Sequence, residues 1–345
     1  MSKVPVIILS GFLGSGKTTL LQRLLQEANR LQLKSAVLMN ELGQSDVDGG
    51  LIHSDMPAAS LEKLLDGCIC CSKKSEVAVS VRRLIDQHPD VLFIELTGVA
   101  NPEEVADALT EPFLLNRVEL RHIITVLDSE WVLEYNSLFN TDQALKRTLR
   151  RQMEVADTVL VNKTDLVASS QLLKIEKTVK KQNATAVIHF TQHSEMVMTE
   201  VFSGLRTLVY NAPTIRNSFK VVGPIRKQET AAPTYDHQHE HNGQADAAAT
   251  ASFSRVQTIT LPVAEHTTIT VKQIEQFLQQ WGEQLLRAKG YVTVYDKKNK
   301  NQLVQFAGRR INWEITDYQG PSYLVLIGID LNRERIEEDW IHLLG

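Results

Sequence analysis

The stretch "VPVIILSGFLGSGKTTLLQRLL", residues 4–25, decides the fold. Val4 to Ser10 is an unbroken β-branched and apolar run, the pattern of a strand buried on both faces of a parallel sheet. Directly after it, Gly11, Gly16, Lys17 and Thr18 match the phosphate-binding pattern G-x-x-x-x-G-K-[ST], and Gly14 adds backbone freedom. Leu20, Leu21, Leu24 and Leu25 then recur at helical spacing. Strand, glycine-rich turn and amphipathic helix, in that order, predict a P-loop. Its glycines let successive N–H groups curl around phosphate oxygens at a helix N-terminus. Lys17 then reaches the β- and γ-phosphates, and the Thr18 hydroxyl ligates Mg²⁺. Ser15 and Thr19 complete the expected nucleotide-binding turn.

Further along, "TVLVNKTDL", residues 158–166, places Asn162, Lys163 and Asp165 after another apolar strand. Asn-Lys-x-Asp is a guanine reader. An ionised Asp165 accepts hydrogen bonds from guanine N1–H and the exocyclic amine, whereas adenine offers no donor at either place and leaves the carboxylate unpaired. That asymmetry favours GTP over ATP.

Between the two lies "DVLFIELTGVANP", residues 90–102. Val91 to Ile94 reads as a buried strand with Glu95 at its carboxyl end. A carboxylate there holds a Mg²⁺-bound water or orients the attacking water, and Gly98 lets a backbone N–H approach a γ-phosphate. Asn101 and Pro102 read as the start of a helix. The expected catalytic set is Lys17, Thr18 and Glu95. In "AVLMNELGQSDVDGG", residues 36–50, a strand runs into a polar loop whose acids Glu41, Asp46 and Asp48 can approach a metal, Asp46 being the magnesium candidate. Gly43, Gly49 and Gly50 make this the segment expected to move.

All three cysteines fall in "DGCICCS", residues 66–72. Three cannot all pair within one chain, and neighbours Cys70 and Cys71 make a strained bridge, so the cluster points to metal or redox chemistry. In extended chain, Cys68 and Cys70 share a face, and Cys71 joins through a local bend. Thiolates suit soft or borderline ions such as Zn²⁺, not magnesium. Three protein ligands leave tetrahedral zinc one position short, as a site that releases its ion requires. Buried thiols or a redox pair formed by Cys68 and Cys71 are the competing readings.

The net charge of −4 argues against a general nucleic-acid or anionic-membrane partner, both of which select a basic face. No apolar run approaches the length of a membrane span, and Lys17 interrupts the N-terminal one, so a cytoplasmic protein is expected. A hydrophobic share of 43% supports a sizeable core in about two domains.

The pieces "GFLGSGKTTLL", "NELG", "GCICCS", "ELTGVANP" and "VNKTD", in that order, resemble a CobW-type GTPase, a relative of HypB and UreG among the P-loop metallochaperones. "LLRAKGYV" and "VQFAGRRINWE" resemble that family's C-terminal domain. The resemblance implies GTP-dependent delivery of a metal, most often zinc, with Co²⁺, Ni²⁺ or iron as alternatives. It also implies Glu41 as a fourth zinc ligand, a client metalloprotein as partner, and a nucleotide-dependent homodimer. Gln44 stands where many relatives carry an acid, and Thr97 replaces their usual serine.

The expected architecture is α/β: a P-loop NTPase domain over 1–210 with a mostly parallel sheet flanked by helices, a linker over 211–252, and a smaller α+β domain over 253–345. The linker is rich in Ala, Thr, Pro and Gln and expected to be disordered from about 228. Within it, "HQHEH" supplies His237, His239 and His241 as an auxiliary metal-capture set. In the last unit the periodicity predicts a helix over 271–289, four strands after it and a closing helix over 333–344. The function expected is a slow GTPase that transfers zinc to clients. A zinc reservoir or sensor set by GTP is the alternative, and a small-molecule kinase leaves the cysteines unexplained.

Overall fold

The structure is a computed structural model and describes residues 3–41, 60–65, 74–137, 143–203, 205, 254–264, 269–295, 300–308 and 310–344. The first sheet contains β1 (Val4–Ser10), β2 (Ser35–Glu41), β3 (Ser60–Leu65), β4 (Val91–Glu95), β5 (Val118–Asp128), β6 (Thr158–Asn162) and β7 (Val187–Phe190). Their spatial order is β3-β2-β4-β1-β5-β6-β7, and every pairing is parallel. Parallel strands need crossovers, so helices cover both faces and the central strands read as continuous apolar runs. In β1, Ile7 and Leu9 join one buried cluster while Val6 and Ile8 join another, as the two-residue period requires.

The helix Lys17–Arg30 buries Leu20, Leu21, Leu24, Leu25 and Ala28 against β1 and β4 on the first of these faces. The helix Gln143–Glu154 packs Leu149 and Met153 beside β6 on the other. The strand ends that carry predicted site residues, Glu41, Glu95 and Asn162, lie at the carboxyl edge of this sheet, as do Ser10 and Asp128. That edge is where open α/β sheets bind ligands.

The second sheet is antiparallel, built from β8 (Val256–Pro262), β9 (Leu285–Val294), β10 (Lys300–Ala307), β11 (Arg310–Ile315) and β12 (Tyr323–Ile329) in the order β11-β10-β9-β12-β8. One face packs Val292, Val304, Leu324 and Leu326 on the helices Val271–Gln279 and Arg333–Leu344. The other face turns Leu286, Tyr323, Val325 and Ile327 toward Val105, Ala108 and Leu109 of the first domain.

The helix predicted over 271–289 is shorter. It ends at Gln279, a single 3₁₀ turn follows at Gly282–Gln284, and Leu285–Lys289 belong to β9. Gly282 takes a left-handed conformation, φ +52°, which ends the helix. From Leu286 onward burial alternates along the chain, and tertiary pairing with β12 and β10 overrides helical propensity.

Candidate nucleotide site

The helix Lys17–Arg30 starts at Gly16 with no side-chain cap and no acid in its first turn. Its first N–H groups therefore face outward from the helix end, and the dipole favours an anion there. Gly16 has φ +110°, and a Cβ on it would sit 2.4 Å from Asn162 Nδ2 and 2.7 Å from Ser194 Oγ, so no other residue fits. Gly11 and Gly14 likewise have positive φ.

Lys17 is buried, and its ammonium donates to the carbonyl of Phe12 at 2.9 Å. Burial pushes its pKa below the ordinary lysine range, with the Glu95 carboxylate pulling the other way. A phosphate anion at the loop restores the charged form's partner. The Thr18 hydroxyl donates to Glu95 Oε1 at 2.8 Å, which brings two predicted site residues together. Thr19 lies in the same first helical turn, exposed.

A magnesium ion fits this donor set. A hydroxyl and a carboxylate are the hard oxygen ligands it takes, and the hydroxyls of Ser10, Ser15 and Thr97 are buried with no partner among the described residues. Thr18 and Glu95 would hold it, directly or through water. When bound it neutralises developing charge on the phosphates.

Gly98 lies where a Cβ would meet the backbone N of Leu13 at 2.6 Å, so the loop after β4 presses on the P-loop itself. Asn162 is buried and braces the site. Its amide donates to the Ser15 carbonyl at 2.9 Å, and its oxygen accepts from Ser194 N at 2.8 Å and Thr191 Oγ1 at 3.1 Å. Lys163 has φ +62° and pairs with Asp128 at 2.6 Å. Asp165 is exposed on a one-turn 3₁₀ helix, Thr164–Leu166, open to a base.

Sequence reasoning missed three contributors. Ser194 donates its hydroxyl to the Gly16 carbonyl at 2.9 Å. Gln152 donates from Nε2 to the carbonyls of Gly98 at 3.2 Å and Ala100 at 3.1 Å. Asp128 holds Lys163. Only Gln152 carried a signal: it is a polar residue beside Met153 on the buried stripe of a helix.

Of the predicted metal residues, Asp46, Cys68, Cys70, Cys71, His237, His239 and His241 lie outside the described residues. Glu41 ends β2, where its backbone is in register with Leu65, the last residue of β3. Cys68 follows three positions later. On its other side β2 is in register with β4, Met39 opposite Glu95. None of the described helices is long and apolar enough to cross a membrane.

A parallel sheet with a glycine-capped helix, a buried lysine and an Asn-Lys-x-Asp loop at its carboxyl edge defines a P-loop nucleotide-binding protein. The chain belongs to the CobW/HypB/UreG family: that family's nucleotide-binding domain matches residues 5–190, and the cobalamin synthesis protein cobW C-terminal domain matches residues 259–344. The chain is 30% identical over 231 residues to zinc-regulated GTPase metalloprotein activator 1 of Dictyostelium discoideum, covering 58% of this chain and 48% of that one. It is 25% identical over 361 aligned residues to the zinc chaperone CobW of Sinorhizobium sp, covering 95% and 93%. It spans about half the length of several curated relatives it matches. Among solved structures it resembles the Zn(II)-bound YjiA GTPase from E. coli, with a TM-score of 0.45 and 20% identity over the whole of both chains.

Proposed function

We propose that the chain is a GTP-dependent metallochaperone: a slow GTPase that binds zinc through Cys68, Cys70 and Cys71 with Glu41, and hands it to a client metalloprotein. The observation that carries the reading is the sheet register. The ends of β2 and β3 lie side by side, so Glu41 and the chain leading to Cys68 leave one edge together. The neighbouring strand on the other side of β2 ends in Glu95, which holds Thr18 of the P-loop. A metal held there stands next to the residues that meet a γ-phosphate.

On this reading, GTP is the substrate, read by Asp165 on a loop braced by Asn162 and Lys163. Lys17, Thr18 and Glu95 carry hydrolysis with Mg²⁺, and Asp46 contributes to the magnesium shell. The chain divides into a GTPase domain over 1–210, a histidine-bearing linker over 211–252 and a C-terminal domain over 253–345. His237, His239 and His241 act as a weaker, faster capture site, and two copies pair around nucleotide. Zn²⁺ is the ion three thiolates favour, over Co²⁺ or Ni²⁺. Coupling energies between sites of about 1–3 kcal/mol change the ion's affinity roughly 5- to 150-fold between nucleotide states.

The test is chelator competition for zinc on the full chain with a non-hydrolysable GTP analogue and with GDP, beside Cys68→Ser/Cys70→Ser/Cys71→Ser. Different zinc affinities in the two states, both lost in the variant, support delivery. Equal affinities with a tight site reduce the protein to a reservoir.

A further inference from the structure

The loop after β4 is held from both ends. Leu96 N donates to Leu9 O at 2.9 Å, which fixes the loop's start to β1, and Gly98 presses on Leu13 of the P-loop. Beyond the loop, the helix Pro102–Ala108 and the turn after it carry four carboxylates, and each meets a cation. Glu103 pairs with Arg151 at 2.9 Å. Glu104 and Asp107, one helical turn apart, both meet Arg287, at 3.4 and 3.8 Å. Glu111 accepts from Lys289.

Arg287 and Lys289 alternate along β9 on the sheet face that meets the first domain. All these side chains in the β9 pairs are at most 19% exposed, so solvent screens them less than it screens surface pairs. Apolar contact runs through the same seam: Val105, Ala108 and Leu109 share a buried cluster with Leu286, Tyr323 and Val325.

The loop is poised in another respect. Thr97 Oγ1, Asn101 Oδ1 and Gln152 Oε1 are buried with no partner among the described residues. Asn101 occupies the N-cap position of its helix and makes no capping bond. Each such atom is destabilising until something pairs with it. A shift of residues 97–101 that pairs these atoms moves the helix they lead into, and with it the carboxylates on β9.

The geometry points to Arg287 and Lys289 as positioning residues for nucleotide hydrolysis: through the helix Pro102–Ala108, the C-terminal sheet sets where Gly98 sits against the P-loop. The inference rests on the GTPase reading above. Neither residue touches the site; they act through Glu104, Asp107 and Glu111.

The experiment compares wild type, Arg287→Ala/Lys289→Ala and Arg287→Lys, with Arg117→Ala, which removes an exposed pair with Asp86 at 2.7 Å, as control. Turnover of GTP and affinity for fluorescent GDP are measured on the full chain. Alanine at both positions lowers kcat about 10-fold or more, because misplacement of about 1 Å is costly at a reacting centre. KM and GDP affinity stay within about twofold. Arg287→Lys retains most of the turnover, and Arg117→Ala changes nothing. An unaltered kcat overturns the inference, and so does a loss of GDP affinity in step with kcat, which reports general damage. Absence of GTP turnover in the wild type overturns the GTPase reading and this inference together.

Discussion

The hydroxyl of Thr18 donates to Glu95 across 77 positions of chain, at 2.8 Å. One residue opens the P-loop helix and the other ends β4, so a single bond ties the phosphate cradle to the strand that precedes the Gly98 loop. Glu95→Gln keeps the shape and removes the charge. It should lower kcat for GTP about 100-fold while leaving GDP binding within a few-fold. Phosphate release across a magnesium titration is the readout, and turnover at the wild-type rate removes Glu95 from the mechanism.

Asp165 and Asn162 belong to one motif but separate in role. Asp165 is exposed on its loop; Asn162 is buried and bonded to Ser15, Thr191 and Ser194. Asp165→Asn should weaken GTP roughly 10- to 100-fold and strengthen binding of xanthosine triphosphate, whose C2 carbonyl accepts from the new amide. Asn162→Ala should weaken every nucleotide alike and lower the thermal midpoint. Equal effects of the two changes on base preference would contradict the division.

Gly98 has no room for a side chain, since a Cβ meets Leu13 N at 2.6 Å. Gly98→Ala must push the loop off the P-loop. Turnover should fall roughly 10- to 100-fold with GDP affinity little changed. Single-turnover kinetics separates this from slow product release, and an unchanged chemical step shows that the loop has slack.

Two neighbours in the core make opposed contributions to acid stability. Burial pushes the Asp157 carboxyl up to about 6, although Arg255 N, Ile123 N and Ser254 donate to it. Between pH about 4 and 6 the folded state holds that proton longer than the unfolded chain, so stability falls as pH rises. Burial, then the nearby Arg121, pushes the His122 imidazole down to about 4. The unfolded chain takes that proton first, below about 6.5, so this contribution is lost as pH falls. The two nearly cancel in the wild type. His122→Asn should expose a stability that drops with rising pH, and Asp157→Asn one that climbs, each by at most about 1.4 kcal/mol per pH unit. Urea midpoints at pH 4.5, 5.5 and 6.5 check the signs, and like slopes in both variants would refute the pairing.

The P-loop, the strand ending at Glu95 and the Asn-Lys-x-Asp turn were legible because each is local: a strand, a turn and a helix read in one run of residues. Gln152, Ser194 and the β9 cations were not, because their partners lie 54, 178 and 183 positions away. No spacing rule reaches that far. The helix over 271–289 was overread because Leu285, Leu286 and Ala288 suit a helix face as well as a buried strand, and only pairing with β12 decides. The bonds of Asn162 to Ser15, Thr191 and Ser194 were not legible either, since its motif does not disclose which way the amide turns.

The all-parallel order of the first sheet also governs how the protein is born. Val6 meets Leu92 on one flank and Leu120 on the other, so the strand that leads into the phosphate cradle is synthesised long before either neighbour exists. The cradle closes only when Asn162 and Ser194 have left the ribosome, roughly 10–40 s into translation at ordinary bacterial or eukaryotic rates. Until β4 and β5 emerge, "VPVIILS" is a naked, sticky segment, a natural target for the chaperones that meet nascent chains.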